Sequence, residues 1–121
     1  MSKEYKLFEQ IVQATDSKKM LWKLKSNTSY SDVIFQPNHV FRIFEGEYEK
    51  DGDEYTVLLV EKKYGDPEWD FEVERYRPEI YFLYQGSIVL VLDDTKIELQ
   101  QLIQLINVVE ITTDRARKLL S

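Results

Sequence analysis

The sequence predicts an α+β fold: an antiparallel meander sheet of about five to six strands, with an N-terminal helix and one or two C-terminal helices packed on one face. Three observations predict it. Residues 3–15 place apolar side chains at helical spacing. Residues 20–92 alternate with a period of two and are broken by short turns. Residues 95–120 return to helical spacing. Helices grouped at the ends of the chain, rather than alternating with strands, argue against a parallel α/β sheet. The 121 residues are predicted to form a single domain, 1–121.

In the first element Leu7, Phe8, Ile11 and Val12 share one face, while Lys3, Lys6, Glu9, Gln10 and Gln13 share the other. Ser2 is the predicted N-cap. Met20, Trp22 and Leu24 then alternate with Leu21, Lys23 and Lys25, as in a strand with one polar face. Residues 26–32 have loop composition, Val33–Phe35 reads as a short strand, and Pro37-Asn38 punctuates it. From His39 to Tyr48 the alternation resumes, with Gly46 read as a bulge.

Glu49–Asp53 is a hairpin turn in which Gly52 supplies the positive φ. The return strand, Glu54 to Lys63, contains Tyr55-Thr56-Val57-Leu58-Leu59-Val60 and reads as a central strand covered on both faces. After a turn at 64–67, Trp69, Phe71 and Val73 alternate with Asp70, Glu72 and Glu74. Arg77-Pro78 is expected to break this pattern, and Gln85-Gly86 to join two further strands, Ile80–Tyr84 and Ser87–Leu92. Thr95-Lys96-Ile97-Glu98 matches a capping box and predicts the start of a largely apolar helix. Thr112-Thr113-Asp114 predicts the cap of a last short helix, Arg115 to Leu120.

Composition excludes several chemistries. There is no cysteine, so disulfide scaffolds, thiol catalysis and thiolate metal sites are ruled out. The only imidazole is His39, with no nucleophile placed beside it by any motif. Gly46, Gly52, Gly65 and Gly86 are too dispersed to cradle a phosphate. No apolar run is long enough for a transmembrane helix, and the start of the chain lacks the apolar core of a signal peptide. The expected location is the cytoplasm, and no cofactor or metal is expected.

The net charge of −6 is unevenly placed. Residues 1–44 hold seven basic and four acidic residues, and residues 45–79 hold five and thirteen. The middle of the chain repels nucleic-acid phosphates and attracts basic partners. Glu68, Asp70, Glu72 and Glu74 fall on one face of one predicted strand, at a repeat of about 6.6 Å. Glu45, Glu47, Glu49, Asp51 and Asp53 form a second alternating row on the neighbouring hairpin. Like charges in a row destabilise a sheet unless cations compensate. The ordinary reading is a solvated face paired with Lys23, Lys25, Arg42, Lys62 or Lys63.

The functional expectation is a small non-enzymatic binding protein that masks a basic surface of a macromolecular partner. Phage-type inhibitors and toxin-immunity proteins both fit that description. Tyr48, Tyr64, Tyr76, Tyr81 and Tyr84 are candidate aromatic anchors. Two alternatives remain open. One is a small enzyme or metal-binding protein using the strand carboxylates, although Asp51-Gly52-Asp53-Glu54 departs from a calcium loop. The other is a self-assembling subunit using the C-terminal helix, whose Arg115, Arg117 and Lys118 sit beside Leu119 and Leu120. A basic protein partner is expected, with no direct nucleic-acid or membrane contact, and a homodimer is compatible with the sequence.

Overall fold

A computed structural model describes residues 2–25, 40–65 and 74–120, with backbone alone at 63–65, 74–76, 114, 115 and 117. The order is helix, five strands, two helices: α1 (Lys3–Asp16), β1 (Lys23–Lys25), β2 (Val40–Lys50), β3 (Asp53–Gly65), β4 (Glu74–Tyr84), β5 (Ser87–Leu92), α2 (Leu99–Thr112) and α3 (Asp114–Leu120). The strands pair antiparallel in sequence order, β1-β2-β3-β4-β5, so the sheet is the predicted meander.

Local chemistry explains the boundaries. The Ser2 hydroxyl accepts the Tyr5 N–H at 3.1 Å, as an N-cap should, for about 1 kcal/mol. The Asp51-Gly52 and Gln85-Gly86 turns both place two successive residues at positive φ. Such turns match the right-handed twist of the flanking strands. Thr113 caps α3 through its hydroxyl, 3.3 Å from the Ala116 N–H.

Three local expectations are corrected. Gly46 is not a bulge: it lies in regular register opposite Val57. A side chain there would meet Trp22 at 3.2 Å and Met20 at 3.1 Å, so glycine makes room for the indole. The register slip is instead between Val40 and Arg42. Arg77-Pro78 does not end a strand, because β4 runs through it. Pro78 lies opposite Glu61 of β3 and beyond Leu92, the end of β5, so β4 has one neighbour there and the missing N–H is tolerated. Thr95 does not cap α2. Its hydroxyl and N–H both go to the Asp93 carboxylate, and the Lys96 and Ile97 N–H groups bond the Asp93 carbonyl. That turn inserts Ile97 into the core, and α2 begins only at Leu99. The Thr95 hydroxyl holds the Asp93 carboxyl below its usual range.

The pleat divides the sheet into two apolar faces. Phe44, Val57, Leu59, Ile80, Phe82 and Leu92 pack with Phe8 and Ile11 of α1 and with Leu102, Leu105, Ile106 and Val109 of α2. Ile43, Leu58, Val60, Tyr81 and Leu83 form a second cluster on the opposite face. Residues 57–60 of β3 are fully buried in succession, which is the predicted signature of a strand covered on both sides. Each buried aliphatic side chain contributes roughly 1.5–3 kcal/mol. No helix among the described residues is long and apolar enough to cross a membrane.

Candidate partner-docking surface

The register of β2 and β3 decides where the acidic residues lie. Glu45, Glu47 and Glu49 project from the face opposite the helices, on the side of Ile43 and Leu58. The row does not continue through the turn. Asp51 occupies the turn itself at φ 54°, and Asp53, opposite Lys50, returns on the helix side. The face gains Glu54 instead, directly opposite Glu49. A like-charge pair in direct cross-strand register is destabilising, and the alternation along β2 gives no sign of it. Only the pairing rule for a two-residue turn, applied to Glu49-Lys50-Asp51-Gly52-Asp53-Glu54, would have found it.

Compensation is graded along the hairpin. Glu45 lies 4.0 Å from the Lys25 ammonium and opposite Lys23. Lys19, Leu21 and Lys23 line a hollow of about 330 Å³ with Glu45 and Glu47. Toward the turn the one cation of the hairpin, Lys50, lies on the helix side, opposite Asp53. Among the described residues, Glu47, Glu49, Asp51, Asp53 and Glu54 close no ion pair. The Tyr84 hydroxyl donates to Asp53 at 3.4 Å, and Lys50 is turned to Gln10 at 3.3 Å. Burial and the Asp51 charge push the Tyr48 hydroxyl above its ordinary pKa.

Of the other expected compensators, Arg42 and Lys62 serve different acids, and the Lys63 side chain lies outside the described residues. Arg42 donates to Glu61 at 3.0 Å and reaches Glu110 of α2 at 2.6 Å. It thereby ties the start of β2 to the end of α2. Lys62 lies 2.9 Å from Glu79, which also accepts the Tyr81 hydroxyl at 2.6 Å. Burial and the Glu79 hydrogen bond push the Tyr81 phenol up to about 12. For Lys62 burial acts downward, but its bonds to Tyr81 and Glu79 outweigh it and the ammonium is held above its usual value. Tyr81 is therefore an anchor of the sheet face rather than an exposed contact.

A phenol whose pKa is raised by folding adds stability that is complete below its unfolded value. That stability is lost as pH rises through the folded value. The protein should lose stability between pH ~10 and ~12 through this residue, and Tyr81→Phe should flatten that limb. Urea unfolding at stepped alkaline pH, with ultraviolet phenolate titration, checks it.

Glu68, Asp70, Glu72 and His39 lie outside the described residues. Glu74 begins β4 opposite Gly65, and its side chain, with those of Tyr64 and Tyr76, lies outside them too. Among the described residues no three carboxylate or imidazole groups gather as a metal would require. A hollow of about 390 Å³ between α1 and α2 is lined by Tyr5, Phe8, Glu9, Gln101 and Leu105 among others. Gln101 donates there to the Tyr5 hydroxyl at 2.8 Å, a link between helices that sequence reading missed.

Compared with models of protein families, with curated proteins and with solved structures, the chain matches none.

Proposed function

We propose that this protein is a non-enzymatic binding module that docks a basic surface of a macromolecular partner on the β2–β3 hairpin end. One observation carries the reading. Glu47, Glu49, Asp51, Asp53 and Glu54 converge on one hairpin end with no compensating ion pair among the described residues, and Glu49 directly opposes Glu54. The fold bears the Glu49–Glu54 repulsion with no ion pair to either carboxylate among the described residues, and a partner's lysines or arginines would relieve it. Tyr48, Tyr55 and Tyr84 stand at the same end, the last two with ring centres 5.5 Å apart. Tyrosine beside uncompensated charge suits a protein interface better than a solvated surface.

The test is capture of partners by the tagged protein from a lysate of its source, at low and high salt. A variant carrying Glu47→Ser, Glu49→Ser, Asp53→Ser and Glu54→Ser should keep the native circular dichroism spectrum, since all four residues are exposed. We expect a basic protein to be retained at low salt, released at high salt, and lost at least tenfold with the variant. Equal retention by the folded variant at moderate salt would sink the reading.

A further inference from the structure

We propose that the hollow between α1 and α2 is a binding site for a linear aliphatic diamine, one ammonium held at each end of an apolar trough. The hollow measures about 390 Å³, a size that suits a small molecule, and it lies between two helices, where such sites form. Phe8 and Leu105, both buried, form its floor. Among the described residues no basic side chain lines it, and α2 has none in its sequence LQQLIQLINVVEIT.

Two carboxylates of α1, Glu9 and Asp16, stand at its rim. They are about two helical turns apart, which sets them on one face with about 10.5 Å between them along the axis. Neither closes an ion pair among the described residues. A single ammonium would neutralise one and leave the other alone. Two ammonium groups joined by an apolar chain of matching length meet both and cover the floor between them.

Gln101 points to the same chemistry independently of that charge. It lines the hollow at the Tyr5 end, where its Nε2 donates to the Tyr5 hydroxyl at 2.8 Å. Its Oε1 is shut from solvent and accepts no hydrogen bond. A buried acceptor without a donor is costly to a fold, and it fits a ligand that brings an N–H. The amide torsion of glutamine is soft, so a small turn presents the oxygen to an ammonium beside Glu9, one helical turn beyond Tyr5. The Tyr5 and Phe8 rings, with centres 6.2 Å apart, add aromatic surface for a cation at this end. The site shares no residue with the β2–β3 hairpin end and is separable from the docking of a basic partner there.

Isothermal titration calorimetry at low salt, with terminal diaminooctane as the probe, tests it. We expect a dissociation constant below about 1 mM. Diaminobutane is too short to reach both carboxylates, octylamine has one ammonium and terminal octanediol has none. Each should bind at least tenfold more weakly. Glu9→Gln with Asp16→Asn should weaken the diamine at least tenfold, at an unchanged unfolding midpoint because both side chains are exposed. Gln101→Leu should weaken it at least threefold. The hairpin variant with four serines should bind the diamine as the wild type does, which separates this hollow from the acidic hairpin. Absence of binding heat up to about 10 mM, equal affinity for any of the three comparison compounds, full affinity in either helix variant, or loss of binding in the hairpin variant would each overturn the proposal.

Discussion

Arg42→Leu should cost about 3–5 kcal/mol of stability, more than any surface charge in this protein can. Glu61 is 7% exposed, and Arg42 is its cation at 3.0 Å. Leucine fills the volume but leaves a carboxylate in an apolar site with nothing to neutralise it. The link to Glu110 is the lesser part, because that side chain is 56% exposed and largely solvated. Glu110→Gln should therefore change stability by no more than about 1 kcal/mol. The decisive comparison is Arg42→Leu with Glu61→Leu. Removing both charges should recover most of the loss, since a buried pair is worth little against well-packed apolar groups. Urea unfolding midpoints of the three variants, at unchanged slope, measure this. A double variant as unstable as the single would show that Arg42 acts through its packing. Its guanidinium does lie 5.5–5.6 Å from the centres of the Phe41 and Phe44 rings.

The same residue shows what the sequence could and could not disclose. Alternation through Val40-Phe41-Arg42-Ile43-Phe44 identifies a strand and puts Arg42 on the side of Phe44, but only the pairing with β3 sets Glu61 beside it, and only the slip between Val40 and Arg42 moves Val40 to the face of Ile43. A bulge is a pairing property, and no single-strand pattern encodes it. The hairpin turns were legible because Asp-Gly and Gln-Gly have to supply positive φ at fixed positions. The double burial of β3 was legible because Val57-Leu58-Leu59-Val60 leaves no polar face. The start of α2 was misread because a Thr-x-x-Glu pattern states only what a threonine can do. Here Asp93, two residues earlier, takes that hydroxyl first.

For the acidic surface, sequence showed that charge accumulates near the β2–β3 turn but not how it is arranged. Counting every second residue through Asp51 and Asp53 treats a turn as if it were strand. Two residues at positive φ reverse the chain, so Asp53 comes back on the helix side and Glu54 joins Glu49. Which acids stay uncompensated depends on where cations from distant segments land. Lys23 and Lys25 reach Glu45 and not the acids beyond it because β1 begins at Lys23, opposite Glu45, and does not run beside Glu47 or Glu49. The short, lysine-bearing edge strand explains both the paired and the unpaired end of the row, and it also discourages edge-to-edge association.

The second large effect concerns Trp22 and Gly46. Trp22→Ala should destabilise by about 3–5 kcal/mol, because the indole is 1% exposed in the main core. Its Nε1–H also donates to the Thr15 hydroxyl at 3.1 Å, and that hydroxyl bonds the Ile11 carbonyl at 2.8 Å, so the ring fixes the end of α1 as well. Gly46 is the other half of the same contact. In a strand interior, alanine is ordinarily favoured over glycine by roughly 0.5–1 kcal/mol. At Gly46 the sign should reverse. The added methyl would stand 3.2 Å from two indole carbons and 3.1 Å from the Met20 Cε. The methionine end can swing aside, but a fully packed ring cannot, so overpacking exceeds the propensity gain. Gly46→Ala alone should therefore destabilise. In a Trp22→Leu background the obstruction is gone, and the same methyl fills space the indole vacated. There Gly46→Ala should be neutral or stabilising, giving a coupling energy of about 1–3 kcal/mol in the double-mutant cycle. Thermal and urea unfolding of the four proteins reads that coupling directly. Additive effects would mean that Gly46 serves the conformation of β2 alone and that the indole has room to move.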